Sequence, residues 1–254
     1  MDAYDHRRRG PSGEFAEIVK TVIYALVIAF VIRVLAFQPF TIPSASMEPT
    51  LFQGDYILVS KFAYGYSRYS LPFSPPVLQG RVLARHPQRG DVVVFKLPRD
   101  TRIDYIKRLI GLPGDRIQMR GGVVYLNGKA VPREELASVT ELSAFGYPHQ
   151  VERYKETLPN GKSYVTYSYG SDGQVDNTGV YEVPAGHYFF MGDNRDDSQD
   201  SRFPEAVGVG YVPFENLVGK ADIILLSWND KATLFKPWTW FVDARPSRFF
   251  NLLK

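Results

Sequence analysis

The chain has 254 residues, a formal net charge of +3 and no cysteine. Its length is enough to bury a sizeable core, and 44% hydrophobic with 22% charged residues is ordinary for a folded protein. So small a net charge gives no reason to expect a nucleic-acid partner, and the lack of thiols excludes disulfide frameworks, thiolate zinc sites and a cysteine nucleophile.

Residues 1–17 read as a polar tail carrying Arg7, Arg8 and Arg9. Val22 to Ile32 is wholly apolar, and the character resumes after Arg33 through Phe37. Residues 18–37 are therefore expected to form a single helix of the ~20 residues that cross a bilayer. Lys20 and Arg33 lie near its ends, where long cationic side chains reach the headgroups. Arg7, Arg8, Arg9 and Lys20 precede the span, whereas no Lys or Arg occurs between Gln38 and Ser60. That asymmetry puts the N-terminus in the cytoplasm and the remainder outside. A cleaved signal sequence and a buried core helix are the alternatives, although no A-x-A site follows the apolar run.

Beyond residue 40 the chain reads as mainly β. Tyr56–Val59 and Asp91–Leu97 are strand-like, the latter after the turn signal Gln88-Arg89-Gly90. Val123–Leu126, then Asn127-Gly128, then Lys129–Val131 is a hairpin pattern, because Asn-Gly supplies the positive φ of a type I′ turn. Asn160-Gly161 before Lys162–Tyr167 marks a second. Residues 116–185 are polar and tyrosine-rich, without candidate chemistry, and read as an inserted β lobe. It divides a core expected over 38–115 and 186–235, leaving 236–254 as a tail whose basic stretch Ala244–Arg248 is expected to be solvated.

Chemistry centres on serine and lysine. The four histidines (His6, His86, His149 and His187) lack a triad setting, and neither G-x-S-x-G nor S-x-x-K occurs. Pro43-Ser44-Ala45-Ser46-Met47-Glu48-Pro49-Thr50 follows the apolar segment, and a serine there needs a base to become nucleophilic. Lys107 can serve if desolvation lowers its pKa. On a strand, Tyr105, Lys107 and Leu109 share one face, while Ile106, Arg108 and Ile110 share the other, where Arg108 is free to find a carboxylate. A surface lysine on an edge strand is the plainer reading. Two features favour the catalytic one. Gly111-Leu112-Pro113-Gly114-Asp115 is a stiff turn directly after the strand, and Gly192–Arg202 is dense in Asp, Arg and Ser that can position a lysine. That second run fails the calcium-loop spacing, since Pro204 or Val207 stands where glutamate is required.

Five blocks now stand in order: Pro43–Thr50 with Gly54-Asp55, Arg89–Phe95, Tyr105–Arg108, Gly111–Asp115 and Gly192–Arg202. Together they resemble the signature blocks of bacterial type I signal peptidases. The resemblance implies an antiparallel β-rich catalytic core behind a single membrane helix. It implies Ser46 as nucleophile, Lys107 as general base, Ser44 with the Ser46 amide as oxyanion donors, and Ser198 as the group orienting Lys107. Asp193, Arg195, Asp200, Arg202 and Arg108 correspond to a supporting network. Phe40, Ile42, Pro43, Leu51, Ile57, Val94, Tyr105 and Ile106 correspond to the substrate-binding walls, which take small side chains of an A-x-A site. No metal or cofactor is implied. The expected partners are signal peptides of exported preproteins and the lipid bilayer. The expected setting is the bacterial inner membrane, with a monomer near the secretion translocon and its catalytic part outside the cytoplasm. A self-cleaving serine–lysine repressor and a membrane-anchored binding or assembly protein with inert serines remain as alternatives.

Overall fold

In the computed structural model the described residues are 11–71, 74–76, 78–142, 148–170, 172–229 and 239–253. Arg7, Arg8, Arg9 and His6, and the 235/236 boundary expected from the sequence, lie outside them.

Pro11 opens a helix that runs to Leu35. It begins ahead of the span expected over 18–37, because proline is well tolerated in a first helical turn and Glu14, Ala16, Glu17 and Lys20 are good helix formers. The helix ends before Phe37, which pairs instead with Ser60 in the sheet. Glu14–Leu35 is long and apolar enough to cross a membrane, about 33 Å at the helical rise. None of that window is buried against the rest of the protein, so it is not a core helix.

Phe37–Thr41, Asp55–Ser60, Leu217–Ser227, Val92–Leu97, Asp100–Gly111, His187–Met191 and Val212–Pro213 are hydrogen-bonded in that order, and Asn251–Leu252 pairs beside Leu217–Ser227. Every pairing in this eight-stranded sheet is antiparallel. Val92–Phe95 reads as a continuous apolar run because both its faces are covered. Val92 and Val94 join Ile42, Met47, Leu51, Ile57 and Val59. Val93, Phe95 and Leu97 join Leu109, Tyr188 and Phe190 on the other side. A third cluster, including Ile110, Phe189 and Met191 from the sheet with Ile117, Val124, Leu158 and Tyr164, fuses the sheet to the inserted region.

That region holds two small sheets. Arg116–Arg120, Val123–Leu126 and Lys129–Ala130 form one with Tyr181–Glu182, and Arg133–Leu142, Pro148–Thr157 and Ser163–Ser168 form the other. Asn127 and Gly128 have φ of 52° and 81°, the pair of positive values a type I′ turn demands. The turn containing Asn160-Gly161 closes the second hairpin, with positive φ only at Gly161.

The basic tail is not a solvated end. Arg248 donates from Nε and Nη2 to Asp55 at 3.1 and 2.5 Å, and Arg245 Nη1 donates to the Gln53 carbonyl at 2.9 Å. Asp55 is wholly buried, so it needs a cation, and the returning tail supplies one.

Candidate active site

Ser46 lies in a single 3₁₀ turn, Ala45–Met47, between the strands Phe37–Thr41 and Asp55–Ser60. Met47 and Leu51 are buried in the core below it, and the Ser46 carbonyl accepts from the Asn194 amide at 3.2 Å. The turn is therefore pinned by apolar packing from beneath and by the Gly192–Arg202 loop from the side. Lys107 comes from the strand Asp100–Gly111, opposite Val93. The expected alternation is present: Tyr105 and Leu109 pack in one cluster, Ile106 and Ile110 in others, and Arg108 turns away from Lys107 to Asp193.

Lys107 Nζ donates to Ser46 Oγ at 2.6 Å and to the Ile106 carbonyl at 3.0 Å, and it lies 5.4 Å from the centre of the Tyr105 ring. The side chain is 3% exposed. Burial pushes its pKa down from 10.5 to about 8, against the opposing pull of Asp200, Asp193 and Asp197. Ser44 Oγ stands 3.4 Å from Ser46 Oγ on the open side.

Three buried arginine–carboxylate pairs frame this centre. Arg108 holds Asp193 through Nε and Nη2 at 2.7 and 2.6 Å, with Nη1 on the Gly90 carbonyl and its guanidinium 4.1 Å from the Tyr164 ring centre. Thr50 donates to the same Asp193. Arg202 holds Asp200 through Nε and Nη2, both at 2.9 Å. Burial alone would raise the Asp200 carboxyl, but Arg202 and the amides of Gly192 and Arg202 hold it below the usual carboxylate range. Arg195 grips Glu156 at 2.6 and 2.5 Å and donates to the Gly192 carbonyl at 3.2 Å. Such pairs contribute little net stability against apolar substitutes, but they fix geometry. Here they fix the loop that carries Gly192 and Ser198.

Gly192 is required by close approach. A Cβ there would sit 2.3 Å from Ser198 Oγ and 2.5 Å from the Ser46 carbonyl oxygen. Ser198 is beside Lys107 in the lining of the cleft, yet its buried hydroxyl makes no hydrogen bond. The orienting bond implied by the resemblance is absent, because Nζ is directed at Ser46 Oγ and the Ile106 carbonyl.

A cleft of about 800 Å³ opens over the pair, lined among others by Pro43, Ser44, Ser46, Tyr105, Ile106 and Ser198. Of the expected substrate walls, only Pro43, Tyr105 and Ile106 face it. Ile42, Leu51, Ile57 and Val94 are buried core, with Phe40 packed against them, so they support the wall from behind. Their apolar character was legible, but not their depth. Sequence reasoning missed Glu156, Thr50 and Tyr164, whose partners are remote in sequence. The described histidines serve elsewhere: His86 Nδ1 lies 2.9 Å from Tyr188 Oη, His187 Nδ1 lies 3.0 Å from the Ala185 carbonyl, and His149 meets the Tyr169 ring edge-on.

Residues 15–228 match the family model described as signal peptidase, peptidase S26. A signal peptidase I of Rickettsia typhi is 44% identical over 247 residues, covering 91% of this chain and 90% of that one. Those of Rickettsia rickettsii and Rickettsia canadensis are 45% and 43% identical, the latter over 92% of both chains. A crystal structure of a signal peptidase I from Enterococcus faecalis V583 covers 54% of this chain and 97% of its own, at 27% identity and a TM-score of 0.30. With relatives matched along nearly their whole length, the chain belongs to the bacterial type I signal peptidases of the S26 family, serine endopeptidases that remove signal peptides.

Proposed function

We propose that the chain is a membrane-anchored endopeptidase that cuts exported preproteins after an A-x-A site, with Ser46 as nucleophile and Lys107 as general base. The observation that carries this reading is the 2.6 Å approach of a buried lysine amine to a serine hydroxyl at the floor of an open cleft. With a pKa of about 8, roughly a tenth of Lys107 is neutral at pH 7. In that form the contact reverses, and Ser46 donates its proton to the Nζ lone pair. Ser46 Oγ then attacks the scissile carbonyl. The oxyanion is held by Ser44 Oγ and the Ser46 amide, a type of donor worth about 2.7–4 kcal/mol. The ammonium protonates the departing amine, and the regenerated amine activates the water that releases the acyl-enzyme.

The substrate lies extended past Pro43, Tyr105 and Ile106, placing alternate side chains against the wall, and a shallow apolar wall suits alanine. Ser198 meets Lys107 in the substrate complex. The apolar helix anchors the chain as a single span with its N-terminus cytoplasmic, in the bacterial inner membrane near the translocon, and the monomer suffices. No cofactor takes part.

The test is cleavage of a preprotein bearing A-x-A by the detergent-solubilised full chain, with the new N-terminus sequenced. One cut directly after A-x-A, lost in Ser46→Ala, is expected. Cleavage at wild-type rate by Ser46→Ala would sink the reading.

A further inference from the structure

We propose that a second site, separate from the serine–lysine centre, binds a phosphate-bearing anion where the apolar helix meets the sheet. A recess of about 480 Å³ lies there, lined by Arg33, Lys61, Lys96, Thr101, Arg102 and Asp104 among others. Four of these six are cationic and one is acidic.

Two of the cations are already balanced. Lys96 Nζ pairs with Asp104 at 2.9 Å, and Arg102 holds the neighbouring Asp100 at 2.7 and 2.8 Å. Lys61 and Arg33 have no ion-pair partner among the described residues. Lys61 is 3% exposed, and its ammonium makes only a long bond, 3.5 Å, to the Arg33 carbonyl. Its position is fixed by the backbone, since the Lys61 amide donates to the Ala36 carbonyl at 2.9 Å, just past the helix end. Burial, then repulsion from Arg33, lowers its pKa from 10.5 to about 8, and Asp104 only partly opposes this. A buried ammonium without a counter-charge is costly unless something pairs with it.

A phosphate group supplies what is missing. Its several acceptor oxygens can take donors from Lys61, Arg33 and the remaining Nη1 of Arg102 at once, and the charge-assisted bonds so formed are strong. Arg33 also marks the end of the apolar helix, the level at which a bilayer carries its phosphates. An acidic lipid headgroup and a free phosphate ion share this chemistry. Asp104 lines both the recess and the catalytic cleft, so the two sites adjoin.

Binding to the intact protein in uncharged detergent tests the proposal, using short-chain phosphatidylglycerol, short-chain phosphatidylcholine and inorganic phosphate as probes. One saturable phosphatidylglycerol or phosphate per chain is expected. Lys61→Met should weaken it at least ten-fold, and Arg102→Gln at least three-fold. Binding of phosphatidylglycerol alone assigns a lipid site, and equal binding of inorganic phosphate assigns a phosphate site. Ser46→Ala should bind as the wild type does, which separates this result from the fate of the peptidase mechanism. Arg102 has an 88% exposed side chain, so that variant remains informative should Lys61→Met misfold. No saturable binding, equal uptake of phosphatidylcholine, or unchanged binding in either Arg102→Gln or folded Lys61→Met would overturn the site.

Discussion

Arg195, on the loop beside Ser46, reaches into the inserted lobe and clasps both carboxylate oxygens of Glu156, 39 residues away in sequence. Tyr164 donates to the same carboxylate, and the Tyr167 carbonyl accepts from the Arg195 amide. The lobe is thus a buttress of the candidate active site, joined to it by charge as well as by packing.

Removing one side of that clasp should be severe. Glu156→Gln leaves Arg195 buried without a counter-charge, and the expected cost is about 3–5 kcal/mol, read by chemical denaturation. The double variant Glu156→Leu with Arg195→Met should recover most of the stability while leaving turnover impaired. Full recovery of turnover would mean that the pair does not position the loop.

On the proposed mechanism, Lys107 links activity to stability through pH. Its folded pKa of about 8 is depressed below 10.5, so the unfolded chain binds more protons between those values, and stability rises with pH across that window. The gain amounts to about 3 kcal/mol. Lys107→Met should lack this rise, equal or exceed the wild type in stability at pH 7, and cleave no preprotein. Wild-type kcat/KM should climb to a plateau above about pH 8. A stability curve in Lys107→Met that matches the wild type from pH 8 to 10.5 would contradict the assignment.

Lys107→Arg should be inactive although it retains positive charge, because a guanidinium does not give up its proton in proteins. Measurable single-turnover cleavage by this variant would remove the lysine from the role of base.

Ser198→Ala should leave the denaturation midpoint essentially unchanged, within about 0.5 kcal/mol or slightly stabilised, since its buried hydroxyl bonds to nothing in the free enzyme. Its effect should fall on kcat instead. A loss of stability with normal kcat is the opposite outcome.

Gly192→Ala forces a methyl to within 2.3 Å of Ser198 Oγ and 2.5 Å of the Ser46 carbonyl oxygen. Displacement of the loop should cost about 1–3 kcal/mol and cut turnover sharply, measured side by side on purified protein.

Local rules carried the sequence reading a long way. Alternation placed Lys107 and Arg108 on opposite faces, Asn127-Gly128 marked its turn, and the apolar run from Val22 marked its helix. What escaped is long-range. Glu156 is one carboxylate among many in a polar lobe, and nothing near it signals Arg195. Arg248 looked like a tail charge because Asp55 lies 193 positions away. Ile42, Leu51, Ile57 and Val94 look the same in sequence whether they line a cleft or lie beneath it. The depth depends on strands that arrive later in the chain.

One residue, Ala36, separates the last helical position from the first sheet residue, and the Lys61 amide clasps its carbonyl. So short a joint, tied by that bond, limits how far the helix can swing against the sheet. On the proposed reading, with the helix seated in lipid, the Ser46 hydroxyl would stay at one height over the surface, and the protein would act as a depth gauge. It would meet bonds that emerge at that level and pass over those held much farther out.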